Sequence, residues 1–401
     1  MRIRLYLAAA LLGLGTPALA DDYLEYTDLR DQAWAAEEAK DYSKALKLYQ
    51  QLVEKGDPAG HYGVALAYLG GLGVKEDDEV GIDWMRKAAD LNYGPAITGL
   101  GLAHEDGEGV AKDIDKANDL YRKAADNGDA RGTYYVGLNH LLGIGLEKSP
   151  TLAAPWLRKA AEKGYYAAMF QLAKLLEKGE GVPKNAMEAV GWYTMAASGG
   201  HGAAEFALGA SHDFADPLED NDELAFFWYK RAADHGNVDA YNSLGHAYRN
   251  GAGTEKDIKT AVAYFEKGIA ADDPFAMTNL AEILIAGDGV KPDRVKGLVL
   301  LERAVKMEHP HAMVELGLAI TAGKDRTANL VRSAKLFAQA AEQDDAKAMR
   351  LLAAAYAKGE GLPVDAKLAK SWYLKAVDAG DADAQAELDA FYETQRTARS
   401  E

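Results

Sequence analysis

Paired glycines are the first feature of this 401-residue chain that could do chemistry. They recur in loops of the form Gly-x-Gly, such as Gly179 and Gly181, and exposed backbone amides at the start of a helix can bind phosphate. No loop glycine is followed directly by Lys-Ser or Lys-Thr, as it would be in the Gly-x-x-x-x-Gly-Lys-Ser/Thr sequence of a nucleotide-binding P-loop. We therefore interpret the glycines as turns, since glycine adopts positive φ without steric cost.

Catalytic pairs and metal ligands are also missing from the sequence. It has no Gly-x-Ser-x-Gly elbow, no Ser-x-x-Lys pair and no His-Glu-x-x-His helix. His104, His140 and His212 occupy equivalent repeat positions, but equivalent helices should lie about 10 Å apart, whereas a zinc ligand lies about 2 Å from its ion. The acidic run from Asp213 to Glu223 lacks the ligand spacing of an EF-hand. We predict no enzymatic activity, no catalytic residues, no metal and no cofactor.

The elements that hold these residues are copies of one 36-residue unit, seen most clearly over residues 168–203. A strict period of this size is typical of a stacked-repeat solenoid. Within each unit, apolar residues four, five and eight positions after an anchor form one stripe of a first helix. The anchors are all Gly or Ala: Gly60, Ala96, Gly132, Ala168, Ala204, Ala240, Ala276, Ala312, Ala348 and Ala384.

The second helix of each unit is predicted from its ends. We number each position, or slot, of a repeat from its anchor, so that slot +17 lies 17 residues after it. Slot +17 always holds a residue that can cap a helix N-terminus: Asp77, Asp113, Ser149, Asn185, Asn221, Asp257, Asp293, Asn329 and Asp365. Five of the six tryptophans share slot +24, which favours core packing over a ligand platform. Slot +32 ends the helix with glycine, or with Asn92, Asp272, Glu308 or Asp344.

The order of these motifs is small-x-x-x-Leu-Gly/Ala, then Gly-x-Gly-Val, Asp, Ala-x-x-Trp-Tyr and Ala-Ala-x-x-Gly. It resembles the Sel-one-like repeat (SLR), a subclass of the tetratricopeptide-like superfamily. The resemblance implies an all-α fold, a right-handed α-α superhelical solenoid of helical hairpins that acts as a protein-binding adaptor. Some cysteine-rich bacterial relatives are described as binding or cleaving penicillin-like compounds. The absence of cysteine from this chain argues against that branch.

Four segments are expected. Residues 1–20 read as a signal peptide, with Arg2 and Arg4 before a short apolar run and Ala18-Leu19-Ala20 as the cleavage site. Residues 21–59 resemble a capping tetratricopeptide hairpin, residues 60–383 hold nine repeats, and residues 384–401 form a capping helix and polar tail. We therefore expect an exported protein, periplasmic in the first instance and secreted as the alternative.

The overall charge limits the partners. The formal net charge is −17, and no run of Lys and Arg offsets it, so we expect no nucleic-acid partner. After residue 20 no stretch is apolar enough to span a bilayer, which needs about 20 apolar residues, so we expect no stable membrane insertion. Partners are therefore expected to be proteins or peptides.

One side of the first helices carries slots +2, +6 and +9, and we call it the first-helix face. In the N-terminal repeats it is unusually apolar, which gives these candidate partner-binding residues: Tyr62, Leu66, Leu69, Tyr134, Leu138, Phe170 and Phe206. Resemblance to tetratricopeptide proteins places this face on the concave wall. Two interpretations remain open: the residues pack between adjacent first helices, or they form a groove for a partner segment.

The predicted function is therefore an exported scaffold that binds a partner segment on its concave face and regulates an envelope sensor or an assembly. The alternatives are a secreted factor that engages host or neighbouring cells, or a penicillin-hydrolysing enzyme. Two repeats depart from the pattern: Ala215-Asp216-Pro217 replaces one loop, and Asp325 replaces a second loop glycine. These departures indicate either partner contacts or drift under weak constraint.

Overall fold

The computed structural model describes residues 27–213, 218–321 and 326–400. Within these ranges all regular secondary structure is α-helical, in 21 helices. The expected signal peptide and the departing loop residues, Ala215 to Pro217 and Gly323 to Asp325, lie outside them. The helices are α1 Thr27–Glu38, α2 Tyr42–Glu54, α3 Pro58–Gly70, α4 Asp78–Asp90, α5 Gly94–Asp106, α6 Ile114–Asp126, α7 Ala130–Leu142, α8 Pro150–Glu162, α9 Tyr166–Lys178, α10 Ala186–Ser198, α11 Gly202–Asp213, α12 Asp222–Asp234, α13 Asp239–Asn250, α14 Ile258–Ala270, α15 Pro274–Ala286, α16 Arg294–Lys306, α17 Pro310–Thr321, α18 Arg326–Ala341, α19 Ala346–Lys358, α20 Ala366–Asp378 and α21 Ala384–Ser400.

The chain divides into two compact units, Met1–Leu208 and Gly209–Glu401. In each unit the helices alternate as predicted: odd-numbered helices from α3 onward are first helices, and even-numbered helices from α4 onward are second helices. Ahead of them α1 and α2 pack as a hairpin around Leu48, Tyr49 and Leu52. At the other end α21 continues to Ser400, so the polar tail that begins at Glu393 is part of this helix. Among the described residues, no helix has the length and apolarity needed to cross a membrane.

The predicted ends of the second helices are confirmed with one exception. The residue at slot +17 caps the helix through its side chain in eight of nine repeats. The prediction is wrong for Asn329, because α18 begins three residues earlier, at Arg326, and Asn329 donates through Nδ2 to the Ile320 carbonyl at 2.9 Å. This is the repeat in which Asp325 replaces the second loop glycine.

The C-terminal ends follow one backbone geometry. The slot +32 residue adopts positive φ in every repeat, including the four where it is not glycine: Asn92, Asp272, Glu308 and Asp344, with φ between 57° and 62°. A left-handed residue at this point ends an α-helix by turning the chain away from the axis. The repeat therefore imposes this conformation even on residues that adopt it at a cost.

Each hairpin closes when the large side chain at slot +25 packs onto the small residue at slot +5. Phe265 is fully buried, and a Cβ added to Gly245 would lie 2.4 Å from its ring. The small residue at slot +5 thereby lets the paired helix approach closely. The slot +24 tryptophans pack beside this core but remain half-buried, and a lysine one turn later covers the outer face of some of them, as Lys87 covers Trp84 at 3.7 Å.

Candidate partner-binding site on the first helices

The seven candidate residues are all at least partly covered in the structure. Leu69 is 3% exposed and Tyr134 is 9% exposed, so these two offer little surface to a partner. The remaining five are half-buried: Tyr62, Leu66, Leu138, Phe170 and Phe206. The first-helix face of the N-terminal unit is therefore a packed apolar surface with part of each ring still accessible.

Side chains at slot +9 pack inside their own helical hairpin and not on the first-helix face. The Leu69 side chain lies against Gly81 of the paired helix α4, where an added Cβ would meet its Cγ at 2.7 Å. Where slot +9 is Glu177, its carboxylate accepts a hydrogen bond from the Tyr193 hydroxyl at 2.9 Å. Leu69 therefore contributes to hairpin packing, and slot +2 supplies the aromatic surface.

In three N-terminal repeats the slot +2 ring packs on slot −3 of the next repeat, whereas Thr98 at slot +2 of the repeat anchored at Ala96 donates a hydrogen bond to Asp129 at slot −3. The ring of Tyr62 packs on Tyr93 at a centroid distance of 5.6 Å. Tyr134 packs on Tyr165 at 5.0 Å, and Phe170 stacks on His201 at 4.8 Å. These contacts join neighbouring repeats, so packing between repeats and an accessible aromatic surface occur together.

The slot −3 residues were missed by reasoning from the sequence. They precede the first helix, where an aspartate serves as the N-cap in other repeats: Asp57 accepts from the Ala59 amide and Asp129 from the Gly132 amide. Tyr93 and Tyr165 make no side-chain cap bond. The alternation of aspartate with an aromatic residue at this slot is a signal that could have found them.

Arg131 was also missed, and it lies among these rings. It stands in the first turn of α7, is partly buried, and donates through an Nη atom to the Tyr62 hydroxyl at 3.1 Å. Burial acts to lower the pKa of Arg131, but Tyr62, Asp129 and Tyr165 outweigh it and hold that pKa above its usual value. Arg131 is thus a permanent cation on an aromatic surface. Together, Tyr62, Tyr93, Arg131, Tyr134 and Tyr165 are called the tyrosine–arginine patch below.

His201 continues the aromatic row on the C-terminal side of the patch. Burial lowers the pKa of its imidazole, and Nδ1 accepts a hydrogen bond from the Ala204 amide at 3.3 Å. Both observations describe a neutral ring at neutral pH. It serves as the N-cap of α11 and as the stacking partner of Phe170.

In the C-terminal unit, ion pairs on and beside the first-helix face take the place of the row of tyrosine and phenylalanine rings. Glu282 pairs with Arg249 at 3.0 Å and with His311 at 3.1 Å, while Glu315 pairs with Lys347 at 2.8 Å. Glu282, His311 and Glu315 are close enough together to hold a metal ion. Arg249 and Lys347 already neutralise both carboxylates, so this arrangement favours an ion-pair network over a cation site.

A cleft of about 850 Å³ opens near the C-terminal end of the same unit. Its walls include Phe337, Leu351, Tyr373 and Phe391 from α18 to α21. Burial and the Glu387 carboxylate raise the pKa of Tyr373 to about 12. The lining is mixed rather than wholly apolar, since Lys358, Glu360 and Glu387 also border the cleft. The Glu387 carboxylate accepts hydrogen bonds from Arg350 and from the Tyr373 hydroxyl.

Comparison with known proteins agrees with this architecture. The family model described as "Sel1 repeat" matches ten segments of the chain: residues 38–57, 58–93, 94–129, 130–165, 167–201, 202–237, 238–273, 274–309, 310–345 and 346–381. A comparison with curated protein sequences finds no match.

Two solved structures are similar over long stretches. One is a protective antigen present in uropathogenic Escherichia coli strains that displays an SLR fold, with a TM-score of 0.72 and 24% identity over 88% of this chain and 76% of that one. The other is a Sel1 repeat protein from Oxalobacter formigenes, with a TM-score of 0.56 and 32% identity over 60% of this chain and 99% of that one. The predicted fold class, an all-α superhelical solenoid of helical hairpins, is confirmed.

Proposed function

Because the chain belongs to the Sel1 repeat family, whose members generally mediate protein–protein interactions, we propose that it is a scaffold that binds a segment of a partner protein. The binding surface is the first-helix face of the N-terminal unit. The row of rings at slots +2 and −3, half-buried except for Tyr134, carries the proposal, because apolar surface that stays exposed on a protein is typical of a contact site.

The geometry of the row suits a chain segment better than a small molecule. The rings come from α3, α7, α9 and the turns between them, so they are spread across several repeats rather than gathered into one pocket. Adjacent helices are about 10 Å apart. A ligand that reaches all of them must be extended, as a peptide segment is.

The location and biological role extend the proposal. We propose that the protein is exported, to the periplasm in the first instance, and that its partner is an envelope sensor or assembly factor. The motif around Ala18-Leu19-Ala20 supports export, and the negative charge disfavours nucleic acid as the partner. Cell fractionation checks this directly: recovery in the periplasm supports the proposal, recovery in the medium supports the secreted alternative, and retention in the cytoplasm contradicts both.

The binding surface is tested by affinity capture from an envelope extract, followed by mass spectrometry. Three baits are compared: the natural chain, the double variant Phe170→Ser with Phe206→Ser, and a control double variant on second helices, Leu152→Ser with Met187→Ser. The control residues are exposed apolar side chains outside the first-helix face, Met187 being 62% exposed. We expect a protein that the natural chain and the control recover and the face variant does not.

The baits must be equally folded for this comparison to be valid. Phe170 contacts His201 and Tyr193, so thermal unfolding is measured on each bait and capture is normalised to the folded fraction. Equal recovery of the partner by all three folded baits would show that the first-helix face is not the binding surface. Hydrolysis of a chromogenic penicillin analogue above background would overturn the non-enzymatic assignment.

A further inference from the structure

We infer that the tyrosine–arginine patch recognises one acidic side chain, an aspartate or glutamate, within the partner segment. This inference rests on the proposed function and names the chemistry that the partner must present. Its starting point is the position of Arg131, a cation placed among phenol rings near the middle of the aromatic row.

Arg131 differs from the other arginines that lie against the first helices. Arg30 pairs with Asp57 at 2.7 Å, Arg249 with Glu282 at 3.0 Å and Arg350 with Asp381 at 2.7 Å. Among the ion pairs of the described residues, none includes Arg131. The nearby Asp129 carboxylate instead accepts from the Gly132 amide at 2.7 Å and the Thr98 hydroxyl at 3.2 Å.

The hydrogen-bonding capacity of the patch suits a carboxylate. A guanidinium has five N–H donors in a planar fork, and the Tyr62 hydroxyl accepts from one of them. That hydroxyl keeps its own proton to donate. A carboxylate between the two groups would form charge-assisted bonds of the bidentate kind that arginine favours.

The surrounding charge argues for a single acid rather than an acidic run. The chain as a whole has a formal net charge of −17, so a polyacidic segment is repelled over most of its surface. Arg131 is a local exception within an apolar row. The fitting segment carries one carboxylate with apolar residues on both sides, the latter for contact with the half-buried Leu138 and Phe170.

The place of Arg131 in the row favours a side chain over a chain terminus. Aromatic residues continue on both sides of it, from Tyr62 on α3 to Phe170 on α9 and Phe206 on α11. Four steps of about 10 Å between first helices correspond to about 12 extended residues at about 3.3 Å each. A segment laid along the whole row therefore passes Arg131 in its interior.

The test is selection of a phage-displayed library of random 12-residue peptides on the full chain and on four variants. Arg131→Gln removes the positive charge. Arg131→Lys keeps the charge but lacks the planar guanidinium that can donate two parallel hydrogen bonds, and Tyr62→Phe removes only the hydroxyl. The fourth is the Phe170→Ser with Phe206→Ser variant. Thermal unfolding midpoints establish that each immobilised variant is folded.

We expect peptides enriched on the natural chain to share one Asp or Glu between apolar residues. This preference should be lost on Arg131→Gln, retained in weaker form on Arg131→Lys, and reduced on Tyr62→Phe. For one enriched peptide, changing its acid to the amide should weaken binding to the natural chain about tenfold or more. The same change should have little effect on binding to Arg131→Gln.

Other outcomes separate the two proposals. Enriched peptides with no shared acid, or an acid preference that survives in Arg131→Gln, would overturn the inference and leave the binding surface in place. No enrichment over the Phe170→Ser with Phe206→Ser variant would overturn the proposed function itself. Stronger peptide binding after neutralising Asp21, Asp22 and Glu25 would make the chain's own N-terminal acids the occupant, which overturns the assignment to a partner.

Discussion

Two glycines in one loop of the C-terminal unit should respond very differently to the same substitution. Gly251 at slot +11 and Gly253 at slot +13 both adopt positive φ, 79° and 65°. A Cβ on Gly251 would meet its nearest atom, the Lys256 amide nitrogen, at 3.4 Å, an ordinary contact. A Cβ on Gly253 would lie 2.0 Å from the Asp222 carbonyl oxygen, in the first turn of α12 of the preceding repeat.

These distances set the expected magnitudes. Gly251→Ala carries only the conformational cost of an L-residue in the left-handed region, about 1–2 kcal/mol. Gly253→Ala carries that cost and also forces two backbones apart, which adds about 1–3 kcal/mol by analogy with overpacked cores. Gly251→Asn should be milder than Gly251→Ala, because asparagine tolerates this region better.

The assay must report on local stability, because a solenoid can unfold repeat by repeat. Hydrogen exchange with mass spectrometry gives protection for α12, α13 and α14 separately, and urea unfolding gives the overall loss. Gly253→Ala should weaken α12 as well as its own repeat, whereas Gly251→Ala should weaken only its own. Equal losses for the two variants, or an unaffected α12 in Gly253→Ala, would refute the close-approach argument.

Three further predictions concern single contacts. Asp57→Asn keeps a side-chain cap but leaves Arg30 without its carboxylate, and loss of this buried pair should lower the free energy of unfolding by about 3–5 kcal/mol, measured by urea denaturation. The hydrogen bond that His311 donates to the Glu282 carboxylate raises the pKa of His311, so the stability from this pair is present below pH about 6.5 and is lost as pH rises through the raised pKa; unfolding midpoints against pH measure it. Asp113→Ala removes an N-cap bond to the Lys116 amide, and the α6 amides should lose about 1 kcal/mol of exchange protection.

Each of these has a matched control. Arg158 and Glu188 form a half-exposed pair at 2.8 Å, and Arg158→Met should cost less than about 1 kcal/mol. His311→Gln removes the titrating imidazole of the pair and leaves the lowered pKa of His201 unchanged. It also removes the small lowering that His311 exerts on the pKa of His246 and His309, for which burial is the larger cause. The counterpart of Asp113→Ala is Asn329→Ala, which removes no N-cap and should leave the start of α18 unchanged.

At low pH, protonation of the Glu282 carboxylate removes the stability that the Glu282–His311 pair provides. Burial acts to raise the pKa of Glu282, but hydrogen bonds from His311 and Arg249 outweigh it, so the pKa lies below its usual value. The stability from this group is therefore present above pH about 4.5 and is lost as pH falls through the lowered pKa. A midpoint curve without a maximum between these limits, relative to His311→Gln, would contradict the contact.

The fold follows from the sequence because its determinants are local. The stripe of apolar residues, the cap at Asp113 and the turn at Asn92 each act within one or two helical turns, and repetition removes chance matches. The prediction failed at Asn329, where the loop that precedes the helix has a different sequence. Asn329 cannot be the N-cap of a helix that already begins at Arg326.

The candidate site could be predicted only in part. Helical spacing identifies the face that holds Tyr134 and Phe170, because side chains at +2 in each repeat share one direction. Tyr93 and Tyr165 lie before their helices, where helical spacing gives no direction. Leu69 illustrates the opposite limit, because its helical position agrees with the face but its side chain packs on Gly81.

By itself the sequence determined the repeat, its helices, its turns and its core slots, because each depends on residues close together in the chain. Only the tertiary structure decided which side chains meet between repeats. Arg131 and Tyr62 are 69 positions apart, with α5 between their helices, and they meet because both side chains are long enough to reach across it. Such a contact depends on the stacking of whole repeats, and no local pattern encodes it.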